Sequence, residues 1–344
     1  MKRAVVIGGN GQIGRPVVDA LVRDGWEVTA ATRSGGRSAA WDAGVRAVPL
    51  DRADDAALGA VVGDGCDLVV DLVGYDAVHA RQLTALAGRI GSAVVISTVA
   101  VYADDAGRGF DTMDEPDGCP DFPVPIPETQ PTVRPGDATY ATRKSALERE
   151  LLTNEAGLPV TVLRPGAVHG PDSPLPRELY FVKRNLDGRR ARVLAFRGES
   201  RFHTASVHNI AELVRLAAAR PGTRVLNACD PQAPTSEEIG AAIDAVMGVK
   251  TRTTRLDGPP REGSVGLNPW AVPRPVVCDM SAAERELGYR PVVSYEDSLP
   301  ETVEWLTAEL RAGSWDERFP LLAGAYPELF AYAAEDALSG AEKA

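Results

Sequence analysis

Residues Ala4-Val5-Val6-Ile7 run directly into Gly8-Gly9-Asn10-Gly11-Gln12-Ile13-Gly14. An amphipathic run follows, with Ile13, Val17, Ala20 and Leu21 on one face. Four apolar residues, a glycine-rich turn and a helical period predict a buried strand, a tight turn and a helix start. Glycines at 8, 11 and 14 let the turn adopt positive φ. They also let the backbone lie against a pyrophosphate at a helix N-terminus, where free N–H groups and the helix dipole attract anions. A strand before the loop and a helix after it is the context that separates a dinucleotide-binding loop from an ordinary turn. Gly8, Gly11, Gln12, Ile13 and Gly14 are therefore candidate cofactor-binding residues.

The strand–helix alternation continues. Gly25 is placed to stop the first helix, and Trp26–Ala31 reads as the second strand, ending at Thr32-Arg33-Ser34. An Asp or Glu at that strand end would bond the ribose 2′-hydroxyl of NAD. This chain offers Arg33 and no acid, which suits the 2′-phosphate of NADP. Val45–Leu50 is the third strand, followed by Asp51-Arg52, where adenine contacts often fall. A helix near 56–62, a strand over Cys66–Gly74, a helix over roughly 78–90, a strand over 93–97, a helix over about 140–155 and a strand over 160–164 complete the pattern. Such alternation predicts an α/β fold, a doubly wound parallel sheet of the Rossmann type.

Composition narrows the function. The 344 residues carry a net charge of −11, which argues against nucleic-acid or acidic-membrane partners. Cys66, Cys119, Cys229 and Cys278 are scattered without a C-x-x-C pair, and the four histidines form no ligand pattern, so no metal site is expected. The first residues read as a strand rather than a signal peptide, and no apolar run reaches membrane-spanning length. A cytoplasmic protein is expected.

Three stretches depart from the alternation. Residues 103–137 are rich in Pro, Asp and Gly and lie on the ligand side of the sheet, so they are read as a substrate-site lid. Residues 171–201 hold eight basic residues in an acidic chain, an island that suits an anionic substrate such as a diphosphate. Residues 251–274 read as loop. Further on, Thr235–Glu238 is a capping box opening a helix to about Met247, Ser281–Glu284 resembles a helix start, and a helix is expected from Tyr295 to about Arg311. The aromatics of the tail after Gly313 are expected to pack on the body or on a partner subunit. Only the last few residues are expected to be disordered.

Tyr140-Ala141-Thr142-Arg143-Lys144 places Tyr140 and Lys144 on one helical face. A free tyrosine, with a pKa of about 10, is a poor base at neutral pH. A neighbouring ammonium favours the phenolate. The pair can then move a proton to or from a substrate hydroxyl.

Together, the glycine loop, Ser97-Thr98-Val99-Ala100-Val101-Tyr102, Tyr140-x-x-x-Lys144 and Leu163-Arg164-Pro165-Gly166-Ala167-Val168-His169-Gly170-Pro171 resemble the extended short-chain dehydrogenase/reductase superfamily. More narrowly, the chain resembles its NAD(P)-dependent sugar epimerase/dehydratase family, over residues 1 to about 310. The resemblance implies Thr98, Tyr140 and Lys144 as catalytic residues, with Lys144 also meeting the nicotinamide ribose. It implies cofactor contacts at Asp51, Arg52, Leu72, Val73, Gly74, Pro165 and Val168. It implies substrate contacts at Thr98, His169, Arg177, Arg201 and Arg274, the last two meeting a nucleotide diphosphate. It also implies a smaller C-terminal α/β substrate lobe and a homodimer. The sheet domain is then 1–170 with 202–230, the lobe is 171–201 with 231–312, and 313–344 is an extension.

Departures from the family pattern separate the possible reactions. Family dehydratases carry Asp-Glu after the active-site Thr, where this chain has Val99 and Ala100, so water loss is disfavoured. Asn209 stands where the family usually has Asp, and Ala103 where Gly is typical. The leading expectation is an NAD(P)-dependent oxidoreductase or epimerase acting at a carbinol carbon of a nucleotide-linked sugar. The alternatives are an NADPH-dependent ketoreductase on a non-sugar molecule and, further off, a non-catalytic cofactor-sensing or RNA-associated protein.

Overall fold

The computed structural model describes residues 1–341, with side chains through residue 337. The final residues, for which the sequence predicts disorder, lie outside the described residues. Two compact units form. The first comprises Met1–Gly166, Val207–Cys229 and Cys278–Val292; the second comprises Ala167–Ser206, Asp230–Val277 and the chain from Val293 onward. The segment 278–292, which the sequence reading assigned to the lobe, thus packs with the sheet.

The first unit begins β1 (Arg3–Ile7), α1 (Gly14–Arg23), β2 (Glu27–Thr32), β3 (Arg46–Pro49), α2 (Asp55–Val62), β4 (Cys66–Asp71), α3 (Ala77–Thr84), β5 (Ile90–Ile96), α4 (Tyr140–Leu152) and β6 (Val160–Pro165). The second unit opens with β7 (Ala167–His169), α5 (Leu179–Leu186), β8 (Ala191–Leu194) and β9 (Thr204–Ser206). The chain returns to the first unit for α6 (Val207–Ala219) and β10 (Arg224–Ala228). It then adds α7 (Ser236–Val246) and β11 (Arg252–Arg255) to the second unit and α8 (Ser281–Leu287) to the first. The second unit closes with α9 (Tyr295–Ala312), α10 (Trp315–Arg318), α11 (Pro320–Ala325) and α12 (Ala333–Ala341).

Seven strands of the first unit make one sheet, in the order β10-β6-β5-β4-β1-β2-β3. Every pairing in it is parallel. The order reverses between β1 and β4, the switch point at which ligands of such sheets bind. Helices cover the faces, which is why β1, β4 and β6 are nearly continuous apolar runs. Val5, Ile7, Val69, Val95, Val160 and Val162 form the core with Leu83 of α3 and Leu147 and Leu151 of α4. Glu148 of α4 also pairs with Arg164 of β6 at 2.6 Å, both buried. Removing one member of such a pair leaves an unpaired buried charge, so this contact fixes α4 against the sheet.

Several boundaries differ from the sequence reading. The helix expected over 78–90 stops at Thr84. A 3-10 turn, Ala87–Arg89, follows, and Ile90 is already in β5, paired with Cys66. The helix expected to reach residue 155 ends at Leu152. Within the stretch read as loop, Arg252–Arg255 is a strand paired in parallel with β8. Its sequence, Arg-Thr-Thr-Arg, has no apolar signal, and its partner lies far back in the chain. The capping box at Thr235 and Glu238 forms as expected.

The second unit has its own core of Leu179, Phe181, Ile239, Ile243, Trp270 and Leu299. Phe319, Leu322 and Leu329 of the tail join it, and Trp315, Tyr326 and Phe330 pack against it. The tail aromatics therefore belong to this unit's body. Among the described residues, no helix is long and apolar enough to cross a membrane.

Candidate active site

The turn between β1 and α1 is shaped by its glycines. Gly8 has φ +87° and its carbonyl accepts a hydrogen bond from Gly11 N at 2.9 Å. A Cβ on Gly14 would lie 2.2 Å from Gly8 O and 2.6 Å from Gly9 O. Only glycine lets α1 begin this close to the strand. Beyond the turn lies a groove of about 910 Å³, lined among others by Gly8, Asn10, Gly11, Thr32, Arg33, Ser34, Asp51, Arg52 and Val73. The buried Thr32 Oγ1 and Asn10 Oδ1 have no protein partner. Such atoms are costly to bury unless a ligand or water bonds them. A cradle without side chains and two unmatched polar atoms fit a dinucleotide. Asn10, Thr32 and Ser34 were passed over in the sequence, although each adjoins a residue singled out there.

The remaining candidates of the first unit divide. Leu72 N donates to Ile7 O at 3.1 Å, and Val73 packs so near Gly8 that a Cβ there would meet Val73 Cγ1 at 2.9 Å. Gln12 and Ile13 lie in the turn, and Pro165 ends β6. Arg52 lines the groove, but its buried guanidinium is committed to Asp71 at 2.8 Å, to Gln82 and to the His79 carbonyl at 3.0 Å. A guanidinium so engaged has little left for a phosphate.

Thr98, Tyr140 and Lys144 converge at the carboxyl edge of the same sheet. Thr98 caps the turn after β5, and its hydroxyl accepts from Ala100 N at 3.1 Å. It also lies near enough to the Tyr140 phenol to favour its ionised form. Thr139 forms a reciprocal cap with Thr142, so Tyr140 is the first residue of α4. Lys144 is buried, and its Nζ donates to Gly74 O at 2.6 Å and Ile96 O at 2.8 Å. Burial lowers the Lys144 ammonium to about 8, opposed by Asp71 and Glu148. Its Nζ stands 5.8 Å from the Tyr140 ring centre.

The sequence argument expected that ammonium to lower the Tyr140 pKa. In this structure burial raises it instead, and Thr98 beside the phenol only opposes the rise. The ammonium is turned to two carbonyls rather than to the phenol.

The segment 103–137 is held by its own contacts. The Asp104 carboxylate accepts from the N–H groups of Ala106, Arg108 and Asp121 at 2.8–3.0 Å. Thr139 Oγ1 donates to Asp111 Oδ2 at 2.5 Å, joining this segment to the start of α4.

Val168, His169, Arg177, Arg201 and Arg274 belong to the second unit. Val168 is half-buried in β7, opposite Ala205. His169 is fully buried, with Nε2 2.6 Å from Asp230 Oδ2. Burial alone would lower its pKa, but Asp230, with Glu178 and Glu301, raises it on balance. His169 is held by Asp230 through Nε2, while its buried Nδ1 has no protein partner.

Most of the basic island is likewise committed. Lys183 pairs with Asp187 at 2.7 Å, Arg184 with Glu335, Arg189 with Asp336, Arg192 with Asp244 at 3.1 Å and Arg197 with Asp257 at 2.7 Å. Arg201 donates to the Ala233 carbonyl and stands 3.9 Å from Glu238. Arg177 is flanked by the rings of Phe202 and Trp270 at 5.3 and 5.8 Å. Arg274 is exposed.

The family model described as the NAD dependent epimerase/dehydratase family matches residues 4–229. No curated protein matches the sequence. Among solved structures, the UDP-glucose 4-epimerase of Thermotoga maritima with UDP-glucose is 22% identical, with a TM-score of 0.68 over 90% of this chain and 99% of that one. The UDP-N-acetylglucosamine 4-epimerase of Methanobrevibacter ruminantium in complex with UDP-N-acetylmuramic acid has the same identity, TM-score and coverage. A Bordetella bronchiseptica enzyme in complex with NAD+ is 19% identical, with a TM-score of 0.66 over 89% of this chain and 98% of that one. With its glycine turn, its parallel sheet and a family match over most of its length, the chain belongs to the NAD-dependent epimerase/dehydratase family of enzymes.

Proposed function

We propose that this protein moves a hydride at a carbinol carbon of a nucleotide-linked sugar, and that Tyr140 exchanges the hydroxyl proton. The convergence of Thr98, Tyr140 and Lys144 at the sheet edge beside the glycine groove carries this reading. A bound nicotinamide dinucleotide supplies the hydride acceptor and donor. The chain's own residues then divide the work. Gly8, Gly11 and Gly14 keep side chains out of the turn, so that the pyrophosphate can approach the start of α1. Thr98 holds the reacting oxygen against the phenol, and Tyr140 takes or returns its proton. Lys144, already donating to two carbonyls, offers its third N–H to the nicotinamide ribose. Val99 and Ala100 carry no proton, so dehydration is not proposed.

Solved structures of this fold hold UDP-glucose or UDP-N-acetylmuramic acid, which supports the substrate class. The reading is tested by incubating the purified protein with UDP-glucose and with UDP-N-acetylglucosamine, and resolving the products by chromatography. Appearance of the C4 epimers is expected. Inertness toward both, together with oxidation of NADPH by simple ketones, would replace the sugar reading with the ketoreductase one.

The cofactor is proposed to be NADP. Arg33 and Ser34 line the groove at the end of β2, and no acid stands at that position. A charge-assisted bond to phosphate is worth about 1.5–3 kcal/mol. Arg33→Ala should therefore weaken NADPH binding by about 10- to 100-fold and leave NADH nearly unchanged, as read by titration of the nucleotide's fluorescence. Equal losses for both nucleotides would show that Arg33 does not read the 2′-phosphate.

A further inference from the structure

Tyr75 stands directly after Gly74, at the exit of β4. Its ring centre is 5.6 Å from that of Tyr140, with the planes inclined by 55°. Tilted pairs at this separation are attractive. The Arg143 guanidinium lies 5.8 Å from the Tyr75 ring, and its Nε donates to Asp137 O at 2.6 Å. The backbone before Tyr75 is also held. The preceding carbonyl, that of Gly74, accepts from Lys144, and His79 of the following helix stands against this turn. His79 is in turn paired with Asp76, which caps α3. Helix α4 thus touches this one turn twice, through Lys144 at Gly74 and through Tyr140 at Tyr75.

Tyr140 is 44% exposed and begins its helix, so no preceding turn of helix restricts its ring. Something else must select one ring orientation. We infer that Tyr75 is a positioning residue, which fixes the Tyr140 ring over the substrate hydroxyl through ring contact from a turn that Lys144 holds at the Gly74 carbonyl. This rests on the reading of Tyr140 as the acid/base. Tyr75 has a second effect of the same origin: its phenol, beside that of Tyr140, opposes ionisation of Tyr140.

The test uses Tyr75→Phe and Tyr75→Ala. The ionisation of Tyr140 is followed by near-ultraviolet phenolate absorbance, with the same protein carrying Tyr140→Phe as the blank. In the wild type the midpoint should lie above the ordinary tyrosine value of about 10. Tyr75→Phe keeps the ring and should lower the midpoint slightly. Tyr75→Ala opens the phenol further and should lower the midpoint more than Tyr75→Phe does. With UDP-glucose as substrate, Tyr75→Ala should lower kcat at least ~10-fold with KM little changed, and Tyr75→Phe should restore it, since small misplacements of a reacting group are costly. Should Tyr75→Ala fail to fold, Tyr75→Leu removes the same ring contact. A Tyr140 midpoint unmoved in both variants overturns the inference. So does full kcat in Tyr75→Ala when Tyr140→Phe is inactive. Activity in Tyr140→Phe itself would instead overturn the underlying assignment.

Discussion

Tyr140→Phe is expected to lower turnover by about 10²- to 10⁴-fold, the usual contribution of a positioned proton-transfer group. That corresponds to roughly 3–5 kcal/mol of barrier. The substitution removes one hydroxyl and keeps the ring, so the contact with Tyr75 survives. Lys144 does not depend on the phenol, because its partners are the carbonyls of Gly74 and Ile96. Binding of the nicotinamide nucleotide should therefore stay within about threefold of wild type, and the melting temperature should not move. The Thr98 hydroxyl keeps the Ala100 N–H as its partner. The measurement is steady-state kinetics with a parallel fluorescence titration of nucleotide. A fall in kcat and kcat/KM at constant nucleotide affinity is the signature of a group used in the reaction. Full turnover in this variant would remove Tyr140 from the mechanism. A joint loss of turnover and nucleotide affinity would mean that the hydroxyl serves binding.

The features visible in the sequence are those carried by local pattern. The β1–turn–α1 unit could be read because four apolar residues, three spaced glycines and a helical period sit side by side. Tyr140 and Lys144 could be paired because helical spacing alone puts them on one face. The features that escaped depend on distant partners. Arg189 meets Asp336, which is 147 residues away, and His169 meets Asp230 at a separation of 61. Nothing local to residues 171–201 shows that their positive charge is answered by acids from α12 and α7. Strand β11 was invisible for the same reason: its four polar residues become a strand only because β8 offers a ladder. Tyr75 was hidden differently. Its neighbours Val73 and Gly74 were singled out, but its value lies in the ring of Tyr140, which α4 brings up only after α3 and α4 have packed together.

The glycine turn yields the second large effect, since its glycines differ in what they do. At Gly14 an added Cβ would fall 2.2 Å from one backbone oxygen and 2.6 Å from another. Neither oxygen is on a side chain that can rotate away, so α1 must retreat from the end of β1. Alanine gains up to about 1 kcal/mol over glycine inside a helix, and less at this first helical position. Forcing a methyl into filled space costs typically 1–3 kcal/mol, and more against backbone. The clash wins. Gly14→Ala should lower the melting temperature by roughly 5 °C for a chain of this size. Nucleotide affinity should fall at least ~10-fold, because the N–H groups facing the pyrophosphate move with the helix. Gly11 provides the contrast. A Cβ there would meet Gly8 O at 3.3 Å and would stand in the groove. Gly11→Ala should leave the melting temperature nearly unchanged and still weaken nucleotide binding. Calorimetry and nucleotide titration on the two variants separate the roles. If Gly14→Ala melts with the wild type, the tight approach of α1 to the strand is not what the third glycine is for. If Gly11→Ala binds nucleotide normally, the groove beside it is not where the pyrophosphate lies.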